Sequence, residues 1–410
     1  MLFNDWIPQG SLEMQPVTKT KAKSTTENTE HTEKNWAKRQ RQKQPWIGML
    51  TFGRGASLPR NGGAVHMKLS IVLLLLTPLA VGQQLRAGRE HISGAESLMG
   101  SLPTPAGFAV RVFVTRPEKA SGKLPVIFVA AWLSCDSTEA PNGPTDGFTQ
   151  LLFDVAGRSG FVTYRVDKPG TGESGGPKCG DADFATELQA YQAAFGAMQQ
   201  LPFVDASHIY VMGFSNGGGF APLVAGDAPV RGYLVFSGWY KTWLEHMLEH
   251  ERRRMKLSGL SETEINARMK QYATFYDLYL NDKKTPGAVI AAHPEFKAIW
   301  YDEPERQYGR PASFYQQLQG LNLAEAWSRV NVPVLAVHGQ YDWIMSADDY
   351  RLLTNTLNAR HPGSALYADW PKADHGMYTH ASEQKAFGQD PQQSYDPKLS
   401  EYVLQWLKDH

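Results

Sequence analysis

From residue 108 onward, short runs rich in β-branched and aromatic residues alternate with stretches whose apolar positions recur every three or four residues. The runs Phe108–Thr115, Pro125–Ala131, Val162–Val166, Ile209–Phe214, Gly232–Phe236, Pro333–His338 and Ala365–Ala368 predict strands. The clearest helical stretch is Asp183 to Leu201, where Phe184, Leu188, Tyr191, Phe195 and Met198 share one face and Asp181 or Asp183 is placed to cap. Strands that alternate with helices predict an α/β fold with a mainly parallel sheet covered by helices on both faces.

The alternation breaks between Trp239 and about Leu323. This stretch begins polar and helix-prone (E-H-M-L-E-H-E-R-R-R-M-K), then carries thirteen Phe, Trp and Tyr residues between Trp239 and Tyr315. The charge run reads as a solvated helix face, with Glu249 and Arg253 at the spacing of a helical ion pair. The aromatic half reads either as ordinary core or as part of a helical cap, residues 239–323, inserted between two strands. Such a cap covers the sheet edge where ligands bind in open α/β folds.

Composition is that of an ordinary globular chain: 410 residues, 42% hydrophobic and 20% charged. The formal charge of zero hides an asymmetry, because residues 1–66 hold ten Lys/Arg against five Asp/Glu. That segment lacks apolar periodicity and is expected to be a disordered basic extension. After it, Met67-Lys68 opens L-S-I-V-L-L-L-L-T-P-L-A-V-G-Q-Q, which predicts a signal peptide over 67–82 cleaved between Gly82 and Gln83. Its apolar core, Leu69 to Val81, is thirteen residues long, against about twenty for a spanning helix. Translation is therefore expected to start at Met67, leaving 83–410 as a secreted or periplasmic domain without a stable membrane anchor. The basic excess is confined to the extension, and no nucleic-acid partner is expected. Two cysteines, Cys135 and Cys179, suit a disulfide in such a compartment. No His/Cys cluster has metal spacing, and neither metal nor cofactor is expected.

The candidate chemistry centres on V-M-G-F-S-N-G-G-G at 211–219. Gly213-Phe214-Ser215-Asn216-Gly217 fits G-x-S-x-G after an apolar strand and before a small-residue helix, the context of a nucleophile elbow. A serine hydroxyl attacks only when a base removes its proton and a third group orients that base. The run ending in H-G-Q-Y-D puts Asp342 just past one strand, and D-W-P-K-A-D-H-G-M-Y puts His375 just past the next. His361 and His380 compete with His375, and Asp348 and Asp349 with Asp342, but the latter two fall where a helix should begin and read as N-terminal caps. Two backbone N–H groups are needed for an oxyanion, and Asn216 and Leu133 are the candidates.

Over residues 100–410 the chain resembles the α/β-hydrolase superfamily, in particular secreted bacterial esterases and prolyl-oligopeptidase-like enzymes. The segments that carry the resemblance are 213–217, H-G-Q-Y-D at 338–342, D-H-G at 374–376 and D-K-P-G-T-G-E-S-G at 167–175. It implies hydrolysis of a small ester, a thioester or a short peptide through an acyl-enzyme. Ala131-Trp132 stands where His-Gly is usual in the superfamily. An aromatic cap favours an ester, whereas Asp302, Glu303 and Glu305 in Y-D-E-P-E are positioned to hold a peptide amine, or else form a solvated loop. Gly170 to Gly175 also fits the dinucleotide fingerprint G-x-G-x-x-G, but that reading requires a helix to open at once. A bond between Cys135 and Cys179 would tie the oxyanion loop to the loop after Val162–Val166.

Overall fold

In a computed structural model that describes residues 84–388 and 390–410, the seven expected runs all enter one nine-stranded sheet. The basic extension and the signal peptide lie outside the described residues. The strands are β1 Arg86–Ala87, β2 Ala95–Pro103, β3 Ala109–Pro117, β4 Leu124–Ala130, β5 Val162–Val166, β6 Val204–Phe214, β7 Gly232–Phe236, β8 Val334–Gly339 and β9 Ala365–Trp370. Their spatial order is β1-β2-β3-β5-β4-β6-β7-β8-β9, with every pairing from β5 to β9 parallel and those of β1, β2 and β3 antiparallel. The periodicity did not announce β1 and β2. The second reads A-E-S-L-M-G-S-L-P, and β3 holds it in place by register from Ala95↔Pro117 to Pro103↔Ala109.

Alternate residues of the central strands go to opposite faces. Ile127, Val129, Met212, Phe214, Leu335 and Val337 meet α1 (Gly147–Arg158) and α11 (Pro397–Asp409). Val126, Phe128, Val211, Val235 and Ala336 meet α2 (Phe184–Met198), α3 (Asn216–Ala225) and α9 (Ala347–Arg360). Each large side chain buried in this way contributes about 1.5–3 kcal/mol. Asp183 is the cap of α2, its carboxylate accepting from the Thr186 N–H at 2.9 Å. The cap of α9 is Ser346, so neither Asp348 nor Asp349 caps it. Asp349 is instead fully buried and accepts from the N–H groups of Tyr240 and Lys241, which pins the chain where it leaves β7.

Between β7 and β8 lie α4 Trp243–Leu257, α5 Glu262–Tyr276, α6 Pro286–Ala292, α7 Ala312–Gln319 and α8 Leu323–Ser328. The charge run on α4 is only in part a solvated face: Glu245, Arg252 and Lys256 are exposed and Glu249, Arg253 and Arg254 half-buried, but Glu251 turns inward. Trp243, His246, Met247, His250, Glu251 and Met255 are all buried at helical spacing, with two histidines and a glutamate in apolar positions. Glu251 is tolerable there because it accepts from Arg254 at 2.7 Å and from the hydroxyls of Tyr301 and Tyr276 at 2.8 and 3.3 Å. Most of the aromatic residues of this stretch join the same core as α2 and α3. No helix among the described residues is long and apolar enough to cross a membrane.

Candidate active site

Strand β6 ends at Phe214 and α3 begins at Asn216, so the whole reversal falls on Ser215, at φ 53 and ψ −121. A non-glycine residue there stores strain of about 1–3 kcal/mol, which the surroundings must hold. Both flanking glycines are required by close approach. A Cβ on Gly213 would meet the Gly217 carbonyl oxygen at 2.6 Å, and one on Gly217 would run into the Ala130 carbonyl oxygen. Gly218 and Gly219 make room in turn for the Tyr350 hydroxyl and the Trp239 indole. That indole donates to the Asn216 side-chain oxygen at 3.1 Å.

The C-terminal ends of parallel strands lie on one edge of the sheet, and Ser215, Asp342 and His375 follow β6, β8 and β9. The three side chains meet there. His375 Nε2 is 2.9 Å from Ser215 Oγ, and His375 Nδ1 is 2.9 Å from Asp342 Oδ2. The other carboxylate oxygen of Asp342 accepts from the N–H groups of Ile344 and Met345, each at 2.9 Å. Burial opposes charge on Asp342, yet His375 and these hydrogen bonds outweigh it and hold the carboxyl down to about 2. The group is thus an acceptor, which makes His375 Nδ1 the donor and leaves Nε2 free to accept from Ser215. His361 is exposed at the end of α9, and His380 is hydrogen-bonded to Asp374 at 2.8 Å.

The loop after β4 packs directly on the elbow, since Gly217 abuts the backbone of Ala130 and Ala131. Ala131 spends its N–H on the Tyr191 hydroxyl at 3.2 Å. Leu133 is buried beyond it, while Asn216 is the first residue of α3, whose N–H has no intrahelical acceptor. Further along, Cys135 is bonded to Cys179, and Asp167 accepts from the Thr138 N–H at 2.7 Å, from Ser137 Oγ and from Arg111. Arg310 donates to the Cys179 carbonyl and pairs with buried Glu187, so the β7–β8 segment also grips this clamp. Sequence patterns had no means of finding Asp167, Glu187 or Arg310 as a set, because 143 residues and seven of the named elements separate the first from the last. Beneath Trp132 lies buried Lys168, whose ammonium is 6.0 Å from the indole ring.

Other candidates fall elsewhere. Glu303 and Glu305 are exposed, the latter accepting from Thr285, and Asp302 accepts from the Tyr308 N–H within its own loop. The glycines at 170–175 fold back on themselves, Gly170 N–H donating to the Gly175 carbonyl at 2.9 Å, and the next α-helix opens only at Phe184. The dinucleotide fingerprint therefore lacks its helix.

Solved structures similar to the chain include acetyl xylan esterase 1 from Thermoanaerobacterium sp., at 16% identity and a TM-score of 0.46, covering 79% of this chain and 86% of that one. Est1E from Butyrivibrio proteoclasticus aligns at 15% identity and a TM-score of 0.47, over 77% of this chain and 98% of the other. Dipeptidyl peptidase 4 from Porphyromonas gingivalis aligns at 17% identity and a TM-score of 0.46, over 77% of this chain and 36% of the peptidase. No curated protein matches in sequence. The profile of the family described as "Serine aminopeptidase, S33" matches residues 145–379, more than half of the chain. By that match the protein belongs to the serine aminopeptidase S33 family and is an enzyme of the α/β-hydrolase superfamily.

Proposed function

We propose that the protein cleaves a carboxylic ester or thioester through an acyl-enzyme on Ser215, with His375 as base and Asp342 orienting it. The observation that carries this reading is the unbroken hydrogen-bond chain from Asp342 through His375 to Ser215, 2.9 Å at each link. In the first step His375 Nε2 takes the hydroxyl proton as Oγ attacks the acyl carbon, and the ionised Asp342 stabilises the imidazolium that forms. The oxyanion is received by the N–H groups of Asn216 and Leu133 at the positive end of α3. The imidazolium then protonates the leaving group, and water releases the acid by the same path reversed.

A serine-directed fluorophosphonate tests the nucleophile. Labelling of the folded protein that is lost in Ser215→Ala supports the reading, and labelling that survives overturns it. The family match favours a second reading, an aminopeptidase on the same three residues. Against it, the acids weighed for holding a peptide amine are exposed or engaged in their own loop. We place residues 239–323 over the site as a cap, although most of its aromatic side chains are buried in the core shared with α2 and α3. Comparing p-nitrophenyl acyl esters with aminoacyl-p-nitroanilides decides between the readings: faster amide turnover that falls in Glu303→Gln or Glu305→Gln makes the protein a peptidase. The Cys135–Cys179 bond fits a secreted or periplasmic home, which fractionation of native cells tests.

A further inference from the structure

We infer that Arg253, on α4, is a positioning residue for Asp342 and acts through two peptide groups of the loop that follows β8. This rests on the proposed triad. The guanidinium donates from Nε to the Trp343 carbonyl at 3.1 Å and from Nη2 to the Ile344 carbonyl at 2.7 Å. Those carbonyls belong to the same two peptide units whose N–H groups, on Ile344 and Met345, donate to Asp342 Oδ1. Each peptide plane is thus held at its oxygen by the guanidinium and at its nitrogen by the carboxylate.

Charge assists the hydrogen bonds at both ends. Donation to a peptide oxygen also polarises the unit and strengthens its own N–H as a donor, so the two relays reinforce each other. Their effect on Asp342 is specific: Oδ1 is fixed to the loop, and Oδ2 is presented to His375 Nδ1 at 2.9 Å. The loop is held from its sides as well, Trp343 stacking on His250 of α4 at 5.3 Å and meeting Phe387 of α10 (Glu383–Phe387) edge-on at 5.1 Å. Glu249 is the nearest rival for the guanidinium, but it stands 3.9 Å away and is engaged by Lys241 at 2.5 Å. The cationic part of the run E-H-E-R-R-R therefore has a task at the site that its sequence does not disclose.

The test is a cycle of Arg253→Met, Asp342→Asn and the double variant, with Arg253→Lys alongside, read by the rate of fluorophosphonate labelling of Ser215. This readout needs no knowledge of the substrate. Arg253→Met should lower the maximal labelling rate by about 10- to 100-fold, the size expected when a catalytic group is held loosely. The half-saturating probe concentration should hardly move, and Arg253→Lys, which keeps the charge but not the planar fork that reaches both carbonyls, should recover part of the loss. In the Asp342→Asn background the removal of Arg253 should cost nothing further, since a residue that works through Asp342 has nothing left to position. An unchanged rate in Arg253→Met, or losses that multiply in the double variant, overturns the inference. If Arg253→Met does not fold, Arg253→Lys decides in the same way. Full labelling in Asp342→Asn removes the triad assignment and this inference together. A slow Asp342→Asn beside a fast Arg253→Met removes only the role of Arg253.

Discussion

Ser215 is the residue where sequence and backbone constrain each other most tightly. Its φ of 53 is costly for a side chain, and relief of that cost gives a measurable sign. Ser215→Gly and Ser215→Ala should both be inactive, but the glycine variant should be the more stable by about 1 kcal/mol, checked by urea denaturation. Gly217→Ala is the complementary experiment, because its Cβ lands on the Ala130 carbonyl oxygen. A loss of about 2–3 kcal/mol together with Ser215 labelling is expected there. At this scale the sharp turn at Ser215 was legible, since a motif of five residues reports its own turn. Asp342 and His375 were legible too, through their order and their places after strands. Asp349 was not: two N–H groups from a different element, Tyr240 and Lys241, decide its burial.

Among the elements, the loop after β4 depends on supports that come from three directions: the Cys135–Cys179 bond, Asp167 at the end of β5, and Arg310 ahead of α7. A cross-link of this kind stabilises a domain by about 2–4 kcal/mol, mainly by restricting the unfolded chain. Here it also ties the loop that carries Leu133 to the segment beyond β5. Reduction, or the Cys135→Ser/Cys179→Ser pair, should therefore lower the labelling rate of Ser215 at denaturant concentrations where the far-ultraviolet circular dichroism is still native. Unchanged kinetics after verified reduction would show that the bond serves stability alone. The helix α4 shows why element-level reading of the sequence went astray. A run of charges fits a solvated face, yet Glu251 and the two histidines take the buried positions because Tyr276, Tyr301 and Arg254 converge on the glutamate from outside the helix.

For the molecule as a whole, the sheet buried on both faces also encloses charges, and Lys168 is the clearest case. Burial lowers its ammonium to about 7, against 10.5 in an unfolded chain. Between those values the unfolded state binds more protons, so this group makes folding more favourable as pH rises and penalises it fully below about 7. Lys168→Met should accordingly be more stable than the parent near neutral pH, by on the order of 2 kcal/mol, with the advantage shrinking toward alkaline pH. A difference that grows with pH would contradict this. What the sequence by itself determined is the order of seven of the nine strands, the helix after β5, the parallel sheet and the three residues spaced along its loops, because hydrophobic periodicity and turn chemistry are local and are written in neighbouring residues. Only the tertiary structure decided the pairing of β2 with β3, the buried face of α4, the clamp of Asp167, Glu187 and Arg310, and the relay from Arg253 to Asp342. Each of these depends on a partner far along the chain, and the energy of a buried charge is set by what surrounds it in space.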